Sequence, residues 1–124
     1  MAKILNVSNH ILTEVQLEDL KANWEIDGVI ELPSDLKTAW SNLNPSNYKE
    51  ICDQILSYSY TCNDTKAVFI HLAGFPPAVN YISNEHPGCL YAFSVRESQD
   101  VPQADGTVKK VSIFNHKGFY RYND

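Results

Sequence analysis

Apolar residues along the chain are concentrated in short runs, and the segments between them carry apolar residues at helical spacing. The runs at 4–7, 29–32, 67–72 and 90–95 each predict a β-strand. The clearest amphipathic helix follows Asn44-Pro45, where Asn is expected as the cap and Pro as the first helical residue. Its apolar positions recur at i, i+3, i+4, i+7 and i+8: Tyr48, Ile51, Cys52, Ile55 and Leu56.

The first strand leads almost directly into a helix with a strong start signal. Thr13 is expected to cap this helix, and Gln16 stands three residues later, which completes a capping box. The predicted helix runs from Glu14 to Trp24. A strand followed at once by a capped helix is the first half of a βαβ unit, and the polar turn 8–10 would lie at the edge where such folds bind ligands.

The order of elements predicts the fold class. Strands and helices alternate as β-α-β-α-β-α-β, and Asp105-Gly106 then signals a hairpin turn before a last strand at 108–114. This order predicts an α/β fold with a mostly parallel sheet, helices on both faces and an antiparallel hairpin at the C-terminal end. The length suits one domain over residues 1–124.

Composition and charge narrow the classes of function. The chain is 44% hydrophobic and 20% charged, which is ordinary for a globular protein, and its net charge of −5 argues against a general DNA or RNA binder. No apolar run approaches the roughly 20 residues that span a bilayer. The three cysteines have no metal-ligand spacing, and we expect reduced, packed thiols in a cytoplasmic protein. Basic residues cluster near the C-terminus, so an anion site is expected to draw on that tail.

Three predicted turns carry polar or glycine-bearing sequences, and the carboxyl ends of parallel strands meet at one edge. The turns are Ser8-Asn9-His10, Ala73-Gly74-Phe75 and Arg96-Glu97, and we expect them to converge. Arg96 suits a phosphate ligand, although a solvated arginine is the alternative. Gly74 permits either a tight turn or close approach to a ligand. Trp40 could stack on a base or pack in the core.

The histidines are the candidates for proton transfer. His10 lies in a predicted turn and His116 on the last strand, whereas His71 sits in an apolar strand and is expected to be a core residue. No spacing predicts a metal site, and neither G-x-G-x-x-G nor a P-loop occurs, so no metal or cofactor is expected. The residues alone leave the function open between an enzyme and a binding protein.

Several segments in the expected order resemble the small CRISPR-associated Csx-type ring nucleases of type III systems. They are ILNVSNHILT, LPSDLKTAWSNLNP and VFIHLAGFPPAVNYI, followed by VRE, DGTVKKVSIFNH and FYRY in the tail from Ala92 to Tyr122. The resemblance implies a Rossmann-like domain related to CARF sensor domains. It also implies a homodimer that binds cyclic tetra-adenylate across its two-fold axis and cleaves it to linear products with 2′,3′-cyclic phosphate ends, without a metal or cofactor.

The resemblance also suggests roles for individual residues. His10 is the first candidate for the general acid or base and His116 the second, while Arg96 would stabilise charge on the phosphate. The remaining candidate ligand-binding residues are Ser8, Asn9, Trp40, Gly74, Phe75, Lys117 and Arg121. Two alternatives remain: a non-catalytic sponge that sequesters the same messenger, and a small α/β protein that binds another nucleotide or belongs to a larger assembly.

Overall fold

The computed structural model describes residues 2–62 and 68–123. Part of the predicted loop at 61–66, and the predicted first residue of the third strand, lie outside the described residues. The elements in chain order are β1 (Ala2–Val7), α1 (Glu14–Trp24), β2 (Ile26–Glu31), α2 (Ser34–Trp40), α3 (Tyr48–Thr61), β3 (Val68–Leu72), α4 (Pro76–Glu85), β4 (Cys89–Pro102) and β5 (Val108–Arg121).

The strands form one sheet in the order β2-β1-β3-β4-β5. The pairs β1–β2, β1–β3 and β3–β4 are parallel, and β5 pairs antiparallel with β4. This confirms the predicted α/β class with a mostly parallel sheet and a C-terminal antiparallel hairpin. The chain leaves β1 for β2 on one side and later returns to β3 on the other, so the direction of winding reverses between β1 and β3.

Two apolar clusters cover the two faces of the sheet. Leu5 and Val7 of β1 pack with residues of α2, α3 and α4, whereas Ile4 packs with residues of α1 and β5. The alternation of a strand sends successive side chains to opposite faces, so Asn6 and Ser8 fall on the α1 face with Ile4. Polar side chains therefore occupy the carboxyl end of that face.

Helix α1 begins where the sequence predicts. Thr13 Oγ1 accepts a hydrogen bond from the backbone N–H of Gln16 at 3.2 Å, and Gln16 Oε1 accepts one from the N–H of Thr13 at 2.9 Å. The capping box and the predicted bounds Glu14–Trp24 are confirmed. The first four N–H groups of a helix have no partner within the helix. The capping box uses two of them, those of Thr13 and Gln16, and leaves the other two available.

Helix α3 begins later than the sequence predicts. Asn44 Oδ1 accepts hydrogen bonds from the backbone N–H groups of Ser46 and Asn47, at 2.9 and 3.0 Å. Asn44 thus caps a separate turn, and the helix starts only at Tyr48. Asn44 is therefore a capping residue, as the sequence predicts, but the turn that it caps precedes the helix.

The β4–β5 hairpin is much longer than predicted. β3 pairs with β4 only at Cys89 and Leu90, whereas β4 and β5 continue to pair as far as Pro102 and Val108. At roughly 3.3 Å per residue, the ribbon extends on the order of 40 Å beyond its last contact with β3. Arg96 and Glu97 therefore lie inside a strand, and the predicted turn at these residues is wrong. The local pattern could not reveal that pairing with β5 prolongs β4.

The helices and the cysteines bear on two of the expectations from the sequence. Within the described residues, the structure has no helix that is both long and apolar enough to cross a bilayer. Cys52 and Cys89 are buried free thiols, and burial raises the pKa of each to about 12. These two cysteines pack in the core, as expected.

Candidate functional site

A cavity of about 500 Å³ lies at the carboxyl ends of β1 and β3. This is the point where the winding of the sheet reverses, which is where open α/β sheets bind ligands. The cavity lies beside the N-terminus of α1, and β4 and the chain after β5 complete its wall. Its lining residues are His10, Ile11, Thr13, Gln16, His71, Leu72, Ala73, Tyr91, Ala92, Ser94 and Tyr122.

Two other surface depressions are less suited to chemistry. A groove of about 890 Å³ between α2 and α3 is lined by the carboxylates Asp35, Glu50 and Asp53, and a smaller one of about 380 Å³ lies between α1 and β2. Neither is lined by a histidine among the described residues. A further depression of about 330 Å³ does contain one, His86, but it lies at the amino ends of β3 and β4, beside Val68 and Gly88. The cavity at the switch point is therefore the candidate site.

Asn6 and His71 form the buried polar contact beneath this cavity. His71 Nδ1 lies 2.9 Å from Asn6 Oδ1, and the two side chains are 4% and 2% exposed. An amide oxygen only accepts hydrogen bonds, so His71 Nδ1 carries the proton and Nε2 is the acceptor nitrogen of the neutral ring. Burial, with a smaller contribution from the neighbouring His10, lowers the pKa of His71 to about 4, while Glu31 opposes the shift.

The turn after β1 is tied to the same asparagine. Ser8 Oγ donates to Asn6 Oδ1 at 2.7 Å and accepts the N–H of His10 at 3.2 Å, while Asn6 Nδ2 donates to the carbonyl of His10 at 2.7 Å. Ser8 is 2% exposed, so its hydroxyl serves this turn and does not face a ligand as expected. His10 itself is exposed at the rim, with its backbone held at both the N–H and the carbonyl.

The wall opposite α1 is built from tyrosines. Tyr122 donates its hydroxyl to the carbonyl of Leu72 at the end of β3, and its ring lies 5.1 Å from that of Tyr91. Burial raises the pKa of Tyr122 to about 12, so the hydroxyl stays a donor at neutral pH. The contact joins the chain after β5 to the floor of the cavity.

Several predicted ligand-binding residues lie on the other face of the sheet, around Trp40. Trp40 is 3% exposed and its Nε1 donates to the carbonyl of Ala73 at 3.0 Å, so it is a core residue and not a base-stacking one. Gly74 packs against this indole, which explains the glycine by close packing. Phe75 contacts Tyr48 edge-on, with ring centroids 6.0 Å apart. Asn9 is exposed and accepts a hydrogen bond from Ser41 Oγ at 2.7 Å.

The basic residues of the tail lie outside the cavity lining. Arg96 is on the hairpin, with its guanidinium 6.0 Å from the ring centroid of Phe114. The ammonium of Lys117 pairs with the carboxylate of Glu97 at 3.7 Å. Arg121 lies over the rings of Trp24 and Phe69, near the amino ends of the parallel strands.

The expected convergence of three turns is therefore only partly correct. The turns after β1 and β3 meet, while Arg96 and Arg121 lie elsewhere, because the length and direction of the hairpin carry them away. Sequence reasoning also missed the contacts of Asn6 and favoured a core position for His71 over a catalytic one. One signal was available: Asn6 interrupts an otherwise apolar strand, and a buried polar side chain requires a partner.

His116 is held away from the cavity by an acidic partner on α1. Its Nε2 lies 2.7 Å from Asp19 Oδ2, with side chains 8% and 17% exposed. Its Nδ1 is buried and has no hydrogen-bond partner among the described residues. This pair links β5 to α1, which is a structural position and not the predicted catalytic one.

Comparison with known proteins identifies a family whose model matches nearly the whole chain. The family model described as "Uncharacterized protein MJ1673 family" matches residues 2–120. The chain belongs to this family. The uncharacterized protein MJ1673 of Methanocaldococcus jannaschii is 27% identical over 128 residues, which cover 99% of this chain and 98% of that protein. No solved structure matches the chain. The MJ1673 family match includes β1, α1, β3 and β4, and therefore every lining residue of the cavity except Tyr122.

Proposed function

We propose that this protein binds cyclic tetra-adenylate in the switch-point cavity and cleaves it without a metal, which would end type III CRISPR signalling. One observation carries the proposal. Two segments that resemble Csx-type ring nucleases, ILNVSNHILT and VFIHLAGFPPAVNYI, are separated by 54 residues in sequence yet supply adjoining parts of the lining of one cavity. That cavity contains two imidazoles, from His10 and His71, beside the start of a helix.

The proposed reaction needs little from the protein beyond positioning and proton transfer. A ribose 2′-hydroxyl attacks the adjacent phosphorus, the bond to the 5′-oxygen breaks, and a 2′,3′-cyclic phosphate forms. Holding these three atoms in line supplies much of the acceleration. His10 is exposed at the rim and its backbone is anchored, so it is placed to exchange a proton with the ligand.

A homodimer would complete the site. The described lining of the cavity contains no lysine or arginine, so the negative charge of the phosphates needs donors from elsewhere in addition to the N-terminus of α1. The hairpin of a second copy could supply Arg96 or Lys117. Its exposed side chains Phe93, Phe114 and Tyr120 offer apolar surface for such a contact, and a ring with internal symmetry suits an isologous interface.

The deciding experiment is a cleavage assay. Labelled cyclic tetra-adenylate is incubated with excess protein in chelator, and linear products with 2′,3′-cyclic phosphate ends are expected. His10→Ala should slow cleavage with little loss of binding. His86→Ala is the matched control, because His86 stacks on Tyr60 away from the cavity, and it should cleave at the wild-type rate.

The other outcomes separate the alternatives. Intact ring retained at stoichiometric protein would identify a sponge and would refute the enzymatic proposal. No binding of the ring at all would refute both. Wild-type turnover by His10→Ala would remove His10 from its proposed role.

A further inference from the structure

The orientation of the Asn6 side-chain amide is determined by its neighbours. The backbone carbonyl of His10, 2.7 Å from Nδ2, can only accept a hydrogen bond, so the amide nitrogen must face it. The amide oxygen then faces Ser8 Oγ at 2.7 Å and His71 Nδ1 at 2.9 Å. Both lone pairs of this oxygen are used, and rotating the amide would place its oxygen against the carbonyl of His10 and the carboxylate of Glu31, neither of which can donate a hydrogen bond.

This orientation determines the proton position on His71. Nδ1 must donate to the amide oxygen, so Nε2 carries no proton in the neutral ring. The ring edge is also fixed by Phe119, whose centroid lies 6.0 Å away at an interplanar angle of 82°. His71 lines the cavity although it is only 4% exposed, and Nε2 is the ring nitrogen that Asn6 does not engage.

The surroundings keep this imidazole neutral. The titratable groups that act on it are His10 from the turn after β1 and Glu31 from the end of β2. Burial lowers the pKa of His71 to about 4, and the effect of Glu31 is the smallest of the three causes. The bare nitrogen is therefore present throughout the neutral range, when a general base must be unprotonated.

We propose that His71 is the general base of the site and that Asn6 is the positioning residue that fixes its tautomer. This inference rests on the proposed function. His71 Nε2 takes the proton of the attacking 2′-hydroxyl while the 2′-oxygen–phosphorus bond forms. The bond from phosphorus to the 5′-oxygen breaks, and protonated His10 donates its proton to that leaving oxygen. One proton is taken and one is supplied, so the step balances and leaves His71 protonated and His10 neutral.

The first test measures the tautomer directly and needs no activity. In protein labelled with ¹⁵N-histidine, long-range ¹H–¹⁵N spectra at pH 7 should show His71 with a protonated Nδ1 and a bare Nε2. His71→Asn assigns the signal, because only that set of peaks should vanish. A His71 that is protonated on Nε2, or a charged ring at pH 7, would overturn the inference.

The second test measures turnover. His71→Asn keeps a side-chain N–H that can donate to Asn6 but removes Nε2, so kcat should fall about 100-fold or more with KM changed only a few-fold. Asn6→Asp places a carboxylate beside Nδ1, which raises the pKa of His71, so the acidic limb of the kcat–pH profile should move up by about 1 unit or more. His86→Ala is again the control.

The outcomes distinguish the two proposals. If wild-type protein cleaves no cyclic tetra-adenylate, the proposed function fails, and the general-base role fails with it. If the wild type cleaves the ring and His71→Asn cleaves it equally fast, only the inference about His71 fails. An unshifted pH profile in a folded Asn6→Asp variant would refute the positioning role of Asn6.

Discussion

Replacing Gly74 by alanine tests how tightly the end of β3 is packed. Gly74 has φ of +149°, and an added Cβ would lie 2.9 Å from Nε1 and 3.0 Å from Cζ2 of Trp40. The indole cannot move away easily, because it is buried and its Nε1 donates to the carbonyl of Ala73. The methyl group must therefore displace either the backbone turn or a core side chain.

The expected loss of stability follows from two costs. A non-glycine residue in this region of φ costs about 1–3 kcal/mol, and overpacking a core contact costs about 1–3 kcal/mol. Alanine also restricts the unfolded chain, which offsets about 0.4–1 kcal/mol. We expect Gly74→Ala to lower the free energy of unfolding by about 1–5 kcal/mol.

Urea denaturation followed by circular dichroism measures this change, and Gly106→Ala is the matched control. Gly106 also has positive φ, +87°, but an added Cβ there meets no atom within 4 Å. The control should therefore show only the backbone cost, about 1–2 kcal/mol. Trp40→Phe removes both atoms that the methyl group would meet, so the double variant should lose at least about 1 kcal/mol less than the sum of the single variants.

Two results would refute the reasoning. A Gly74→Ala variant that is no less stable than Gly106→Ala would show that the turn has room for a side chain. Additive effects of Gly74→Ala and Trp40→Phe would mean that the indole is not the group in contact. In either case the glycine would need another explanation, and the ligand-binding role predicted for it would again deserve a test.

Three further predictions concern other buried groups. The pKa of His71 is about 4 in the folded protein against its ordinary value of 6.5, so the unfolded chain binds more protons between these two pH values. As the pH falls from 6.5 to 4, the free energy of unfolding should therefore fall about 3 kcal/mol more in wild type than in His71→Asn, and equal slopes in urea melts would contradict this. His116→Ala removes the contact with Asp19 and should cost about 1–3 kcal/mol while kcat stays unchanged; a loss of kcat would restore its predicted catalytic role. Cys52 and Cys89 should resist alkylation in native protein at pH 8, as followed by mass spectrometry, because burial raises both pKa values; rapid labelling would show that the core opens readily.

Local sequence signals were sufficient for most elements of the fold. The capping box at Thr13 and Gln16 located the start of α1, because both hydrogen bonds form within four residues. The alternation of strands and helices then predicted a mostly parallel sheet, since parallel neighbours require crossover connections. Asn44 shows the limit of such signals: its cap is real, but the turn it stabilises precedes the helix.

The candidate site was predicted in place but not in composition. Turns after β1 and β3 were expected to meet, and they do, because the carboxyl ends of parallel strands share one edge. Arg96 was expected there too, but the extent of β4 depends on pairing with β5 and not on its own pattern. Charge and hydropathy along one segment carry no information about such a partner.

The sequence alone determined the α/β class, through the order of its short apolar runs and capped amphipathic segments. It also determined the bounds of α1 and the edge of the sheet where the polar turns lie. Only the tertiary structure decided which side chains reach that edge. Asn6 and His71 are separated by 65 positions in the chain, yet their contact sets the tautomer of an imidazole in the cavity wall. The periodicity of apolar residues predicts which face of an element a residue occupies. A hydrogen bond between strands that are far apart in sequence depends on strand order and register, and these exist only after the sheet has assembled.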